Sequence, residues 1–287
     1  LEAARALGQR GYQVSLAEAS REPGGRVARE CRLPGLAAWG RVRDWRLLQI
    51  GKLANVGLYL ESAMDVEAVR DLAPDHVLVA TGARWRRDGS GRHSLVPLAI
   101  APDMPVLTPD DIMAGKRPGA GPVVIFDDDH YYMGGVLAEL LRKEGHAVSL
   151  VTPAPLVSAY TTATLEQSRV QKRMIDLGVT TVLSRALEKA GAGTAGLSCV
   201  HGGPAIEVGC ASLVLVTARD PEDGLFHALR AAGIAASRAG DCYGPSTIAA
   251  ATHAGRRFAE EFGDGPPEFT DVPFRREVTA LAGSEAR

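Results

Sequence analysis

The sequence predicts an α/β chain built from two parallel, doubly wound units, and three observations carry that expectation. Leu1 to Gln9 is Ala-rich with its apolar residues on one helical face, Gly11 stops it, and Tyr12 to Leu16 reads as a short buried strand. A second unit appears as strand Val123 to Phe126, helix Leu137 to Glu144 closed by Gly145, and strand Ala147 to Val151. Glu18, Gly24-Gly25, Thr81-Gly82 and Asp241 follow one another in the order in which such a unit places its acid and its small-residue turns.

Composition narrows the class. The 287 residues suffice for two domains of ordinary size, and 46% apolar with 23% charged residues describe a soluble globular chain. A net charge of −2 offers no basic surface to nucleic acid or to an anionic membrane. No apolar run approaches the ~20 residues of a spanning helix, so a cytoplasmic protein with neither partner is expected. Cys31, Cys199, Cys210 and Cys242 are scattered without a C-x-x-C pair, which excludes the close-spaced thiolates of zinc or iron–sulfur sites and leaves free thiols. The seven histidines show no metal-ligand spacing and no nucleophile elbow is present, so no residue of this chain is assigned the chemical step and no metal site is expected.

Taken in order, the first strand ends at Glu18, where an acid is placed to accept hydrogen bonds from an adenosine ribose. The strand and Gly-rich turn that should precede the first helix are not in the sequence, so the chain reads as part of a longer polypeptide. Gly24-Gly25 would let the backbone pass close to a bound nucleotide, or simply turn, and Arg26 offers a cation to phosphate or ribose oxygens. Trp39 and Trp45 flank Arg41, Arg43 and Arg46 at the start of a helix expected over Trp45 to Asn55; this composition suits partner docking and equally suits packing on the chain's own core. A helix over Ser62 to Leu72, with Asp65, Glu67 and Asp71 outward, leads to strand His76 to Ala80.

Residues 84–122 are loop-rich, with six prolines from Pro97 to Pro122, and are read as a domain crossover that contains a short helix capped by Thr108 with Pro109 first. The turn after Phe126 reads Asp127-Asp128-Asp129-His130-Tyr131-Tyr132-Met133-Gly134-Gly135 where G-x-G-x-x-G is expected of an NAD(P) site. Three carboxylates there repel a pyrophosphate at about 1 kcal/mol or more each, and two tyrosines block close backbone approach, so this turn is expected not to hold NAD(P). Helix Thr161 to Leu177, strand Val179 to Leu183, a hairpin or meander over Leu187 to Glu207, strand Leu213 to Thr217, helix Asp223 to Ala232 and a last helix reaching Phe262 complete the reading, followed by a Pro- and charge-rich tail.

These motifs resemble, in order, the C-terminal region of the trimethylamine, dimethylamine and histamine dehydrogenase group, relatives of old yellow enzyme and of 2,4-dienoyl-CoA reductase. The resemblance rests on Glu18 with Pro23-Gly24-Gly25-Arg26, on Leu33 to Leu53, on His76 to Gly89 and on the Gly240-Asp241 turn, and it runs from Leu1 to about Pro273. It implies two Rossmann-like domains of the glutathione-reductase type, with residues 84–220 inserted between 1–83 and 221–265, and a tail over 266–287. Thr81 and Gly82 resemble the ATG element at which such chains leave the first domain, and Ala218 to Pro221 the point where they return. Asp241 would accept a ribose or ribityl hydroxyl, and Ser246, Thr247 and Ile248 would open the helix whose N–H groups face a pyrophosphate; locally, an Asp in a Gly turn before a helix is as good a description.

The implied ligand of this set is ADP or FAD, with ADP favoured. FMN and a 4Fe-4S cluster are implied in an N-terminal barrel outside this sequence. The implied activity is oxidation of a small methylated or primary amine, with electrons passed to an electron-transferring flavoprotein by a homo-oligomer. The acidic turn speaks for this branch over an FAD- and NADPH-dependent 2,4-dienoyl-CoA (enoate) reductase. A non-catalytic assembly module that binds no nucleotide is the third reading.

Overall fold

The computed structural model describes residues 1–191 and 193–263; residues 264 and 265 of the expected first domain and the tail over 266–287 lie outside the described residues. Helix α1 (Glu2–Gln9) leads to strand β1 (Val14–Ala17), a short helix α2 (Arg26–Glu30), helix α3 (Gly40–Ile50) and strand β2 (Val56–Tyr59), which pairs parallel with β1 from Val14 opposite Val56. Helix α4 (Val66–Leu72) and strand β3 (Val77–Val79) follow, and then β4 (Ala83–Trp85), β5 (Ala99–Ile100), β6 (Val106–Leu107) and helix α5 (Pro109–Met113). Strand β7 (Val123–Asp127), helix α6 (Met133–Lys143), strand β8 (Val148–Val151), helix α7 (Gln167–Asp176) and strand β9 (Thr180–Val182) run into β10 (Arg185–Gly191), β11 (Thr194–Cys199) and β12 (Ile206–Gly209). The described chain closes with β13 (Ser212–Val216), β14 (Arg219–Pro221), α8 (Gly224–Ala231), β15 (Ala236–Arg238) and α9 (Ile248–Glu261).

The largest sheet has five parallel strands in the order β6-β13-β7-β8-β9. Its central strand is apolar on both faces because both faces are covered. Ile125 points with Leu137, Leu141, Leu150 and Met174 into a core under the helices, whereas Val124 and Phe126 point with Leu213 and Leu215 toward Leu187, Ala195 and Leu197 of the β10–β11–β12 meander. That meander is antiparallel, as expected over 187–207, with β5 added in parallel at its edge.

A second layer of packing is built on small residues. Ala3, Ala6 and Leu7 of α1 meet Phe258 and Ala259 of α9, and a Cβ on Gly255 would lie 3.1 Å from the backbone N of Ala3. β3 pairs parallel with β15, and β4 pairs antiparallel with β14, so the two chain segments read as crossings run side by side. No helix among the described residues is long and apolar enough to cross a membrane.

Several boundaries differ from expectation for physical reasons. α3 begins five residues before Trp45, because Trp45 (48% exposed) and Leu48 (60% exposed) face outward and do not mark its buried side. α4 begins at Val66, where Asp65 turns its carboxylate back to accept the Ala68 N–H at 2.8 Å and so caps the helix. The helix expected over 161–177 is broken: a 3-10 turn covers Ala159–Thr162, Leu165 takes a left-handed φ of 61°, and α7 starts at Gln167. Thr108 and Pro109 open α5 as expected, Asp111 completing a reciprocal capping box.

Leu150, which has no exposed surface in the β8 core, sets a test of this packing. Leu150→Ala is expected to lose about 2–5 kcal/mol in urea unfolding, while Leu48→Ala on the exposed face of α3 stays within about 0.5 kcal/mol of the parent chain.

Candidate functional site

Three turns converge beside the start of α9. Gly25 opens α2 at φ 55°, ψ −125°, and Gly82 sits between β3 and β4 at φ 87°; a Cβ on either would meet nothing within 4 Å, so both present bare backbone to open space. The third turn is Gly240–Cys242, which delivers Asp241.

Arg26 ties these turns together. Its Nη1 lies 3.0 Å from Asp241 Oδ2, its Nη2 donates to the Ser246 carbonyl at 2.9 Å, and its Nε lies 2.8 Å from Glu30 Oε1 one helical turn on. Asp241 also takes Arg219 Nη1 at 3.1 Å on Oδ2, and its Oδ1 accepts the Ser246 N–H at 3.0 Å. Arg219 in turn stacks over the Trp85 ring, 5.1 Å from its centroid. Thr81 Oγ1 donates to the Glu222 carbonyl and lies 3.3 Å from Cys242 Sγ, next to Asp241. Thr247 accepts the Ala250 N–H on its hydroxyl as N-cap of α9, and Ile248 is the first helical residue.

The remaining expected residues lie apart from this bridge. Glu18 is half-buried at the end of β1, where its Oε1 accepts the backbone N–H and the hydroxyl of Ser20 at 2.9 and 2.8 Å. Gly24 packs on Arg43, whose Cδ would be 2.7 Å from a Cβ placed there. Arg43 pairs with Glu22 and Asp44, and Trp45 holds Arg5 and Arg46 against its ring, while Arg41 is exposed.

Sequence reasoning did not single out Glu30, Tyr132 or Arg219 for the site. The carboxylate of Glu30 has no exposed surface, and Tyr132 from the second unit donates its hydroxyl to Oε2 at 2.9 Å. Tyr132 also meets Trp39 edge to face at 4.4 Å between centroids. Burial raises the Glu30 carboxyl and Arg26 only partly offsets it; burial likewise raises the Tyr132 phenol, and the Glu30 charge adds to that. For Arg26, burial works against the charge, but Glu30 foremost and Asp241 behind it hold its guanidinium above its usual value. Only the i, i+4 spacing of Arg26 and Glu30 hinted at this group.

The acidic turn after β7 is folded inward, which corrects the expectation of a repelling surface. Asp127 and Asp128 have no exposed surface and Asp129 retains 6%. Asp127 Oδ1 accepts the N–H groups of Asp129 and His130 at 3.2 and 3.0 Å, and Asp128 Oδ2 accepts the His93 N–H at 2.8 Å. The Asp127 carboxyl lies over the first turn of α6, where a Cβ on Gly134 would come within 2.5 Å of its Oδ2. The chain thus places its own acid at this helix N-terminus, and α6 starts at Met133, four residues before the expected Leu137. Tyr131 packs edge to face on Tyr160 and Tyr132 reaches Glu30, so neither acts as a simple screen over the turn.

Burial pushes the Asp127 carboxyl up to about 7, with Asp129 adding to it, and pushes Asp129 up to about 6 against the pull of Arg92. All four cysteines are free thiols, and among the described residues no group of three or more His, Cys, Asp or Glu side chains is placed to hold a metal ion.

What this geometry can hold is set by its donors. Bare backbone at Gly25 and Gly82 and the N-terminus of α9 fit a diphosphate, and Glu18 at a strand end fits a sugar hydroxyl. No arginine of the bridge is left uncommitted for a phosphate, since Arg26 and Arg219 are both engaged with Asp241.

Residues 107–203 match the family described as OYE-like second alpha/beta domain. The chain is similar to dimethylamine dehydrogenase of Hyphomicrobium sp. (strain x), 31% identical over 312 residues that take in 97% of this chain and 42% of that protein. Among solved structures it is similar to histamine dehydrogenase from Rhizobium sp. 4-9, with a TM-score of 0.91 and 47% identity over 98% of this chain and 44% of that one. It is also similar to 6-hydroxypseudooxynicotine amine oxidase from Pseudomonas geniculata N1, with a TM-score of 0.88 and 42% identity over 91% of this chain and 40% of that one. The chain therefore spans less than half the length of the relatives it matches.

Two measurements check the site's electrostatics. An Asp127 carboxyl near 7 when folded and near 3.8 when unfolded binds its proton more tightly in the native state, so its own contribution to stability is fully present below about pH 4 and is lost as pH rises through 7. Asp127→Asn is expected to flatten that slope by up to about 1.4 kcal/mol per pH unit in urea unfolding at pH 5 and 7; an unchanged slope would contradict the assignment. Tyr132→Phe removes a donor from a fully buried carboxylate and is expected to cost about 1–3 kcal/mol in the same assay.

Proposed function

We propose that this chain, a homologue of dimethylamine and histamine dehydrogenases that carries the OYE-like second α/β domain, is the adenine-nucleotide-holding part of an amine-oxidising flavoprotein oxidoreductase. The observation that carries the reading is the convergence of Gly25, Gly82 and the Asp241 turn on the N-terminus of α9. In this reading residues 1–83 and 221–265 form one Rossmann-like domain, and residues 84–220 are a second inserted into it. The pairing of β4 with β14 at the two crossings supports the insertion.

ADP is the favoured ligand, with FAD as its fuller equivalent. Glu18 would hold the adenosine ribose, and the backbone at Gly24, Gly25, Thr81 and Gly82 with Ser246, Thr247 and Ile248 would face the diphosphate. Arg26 would act by fixing Asp241 and Ser246. The redox chemistry is supplied by FMN and a 4Fe-4S cluster outside this chain, with a small methylated or primary amine as donor and an electron-transferring flavoprotein as acceptor. The active form is a cytoplasmic homo-oligomer joined to an N-terminal barrel of the same polypeptide.

The self-filled turn at Asp127 argues against an NADPH-dependent reductase, because the N-terminus of α6 already faces a carboxyl group of the chain. Denaturing the full-length protein and identifying what it releases tests the reading. FMN, ADP and iron support it; FMN with FAD points to an enoate reductase, and release of no adenine nucleotide leaves an assembly module. Glu18→Ala in the full-length protein is expected to weaken ADP retention about tenfold in equilibrium dialysis, as loss of one charged hydrogen bond would.

A further inference from the structure

Residues 33–39 of the first unit pack into the second. Leu33 and Leu36 share a core with Val123 and Ile125 of β7 and Leu137 of α6, and Trp39 lies against it. Just before them, α2 reaches the second unit through two polar links. Tyr132 donates its hydroxyl to Glu30 Oε2 at 2.9 Å, and Arg29 Nη1 lies 3.1 Å from Asp110 Oδ1 of α5. Asp110 Oδ2 accepts the Trp85 N–H at 2.9 Å, so the strand that leaves Gly82 is anchored by the same acid. Tyr132 owes its place to the inward turn before it. His130 takes a left-handed φ of 64°, after which Tyr131 runs to Tyr160 and Tyr132 to Glu30 and Trp39.

We propose that the second unit acts as a clamp on the nucleotide place of the first, with Tyr132 as a positioning residue that works through Glu30 and Arg26. The proposal rests on the reading that this module holds an adenine nucleotide. Glu30 has no exposed surface, and its charge survives only while Arg26 faces Oε1 at 2.8 Å and the Tyr132 hydroxyl serves Oε2. Arg26 depends on that charge as one of three anchors, the others being Asp241 and the Ser246 carbonyl. A neutral Glu30 therefore leaves the Gly25 turn, the Asp241 turn and the start of α9 less firmly joined, and these are the parts that would face the diphosphate. The groups facing the Glu30 carboxyl are Arg26 and Arg29 on its own helix, Tyr132 and Asp241, while Asp129 faces Arg26 and Tyr132. Burial foremost, and Asp241 behind it, raise the proton affinity of Glu30; Arg26, the phenol hydroxyl and Arg29 hold it down. Removing the hydroxyl moves the Glu30 titration to higher pH.

The test uses the full-length holoenzyme freed of nucleotide. Reciprocity requires that a clamp which steadies the nucleotide place be steadied by the nucleotide. ADP is therefore expected to slow amide hydrogen exchange over residues 129–137 at least about threefold in the wild-type protein, and not in Glu30→Gln. Equilibrium dialysis of ADP over about pH 5 to 8 reads the Tyr132 link, with affinities taken relative to Glu30→Gln so that the titration of ADP itself cancels. At about pH 8 the wild-type protein is expected to bind ADP about tenfold more tightly than Glu30→Gln, and Tyr132→Phe to lose that advantage about one pH unit above wild type. A folded Glu30→Gln that binds as tightly as wild type would overturn the clamp, as would exchange over 129–137 that ADP leaves unchanged, or a Tyr132→Phe that titrates as wild type does. Should either variant fail to fold, the wild-type exchange decides. A folded wild-type protein that binds no ADP would instead overturn the reading on which the clamp rests.

Discussion

A carboxylate with no exposed surface keeps its charge only if partners replace its water, and Glu30 imposes that demand on everything around it. Arg26 answers it from one helical turn away and Tyr132 from the second unit. Because the same guanidinium also holds Asp241 and the Ser246 carbonyl, the demand of one buried acid fixes where the Gly25 turn, the Asp241 turn and the start of α9 lie relative to each other. The second unit is drawn in by the same means, since Tyr132 carries Trp39 against its ring.

The N-termini of α9 and α6 are treated in opposite ways. At α9, Thr247 satisfies one N–H by capping, and bare backbone at Gly25 and Gly82 stands nearby. At α6, the chain supplies the acid itself: Asp127 lies over Gly134 and its other oxygen takes two N–H groups of its own turn. The cost of that arrangement is burial of three neighbouring carboxyls, and it emerges as raised proton affinity at Asp127 and Asp129. In the proposed reading one unit keeps a nucleotide place open, and the other keeps the shape of such a place without its ligand.

That division bears on how a module of this kind contributes to an oxidoreductase. In the proposed reading, what this chain offers a larger enzyme is a place for a nucleotide, a packed frame and a surface. The exposed Trp45 and Leu48 on α3, with Arg41 beside them, keep apolar and cationic groups at that surface, while Arg43 is spent on Glu22, Asp44 and Gly24.

The α/β class, the run of Val123 to Phe126 as a strand buried on both faces, the cap at Thr108 and the meander over 187–207 were legible in the sequence, because each is dictated by periodicity, β-propensity or turn chemistry within about ten residues. β15 was not, being three residues long, nor was the outward face of α3, whose apolar residues mark no core. Of the candidate site, the sequence by itself determined which small residues and acids stand in the right order. Only the tertiary structure decided that Arg26 belongs to Asp241 and Glu30, that Tyr132 and Arg219 join them, and that the three acids after Phe126 turn inward. The physical reason is range: a cap or a turn is satisfied by near neighbours, but a buried charge is satisfied by whichever distant side chain the fold brings to it.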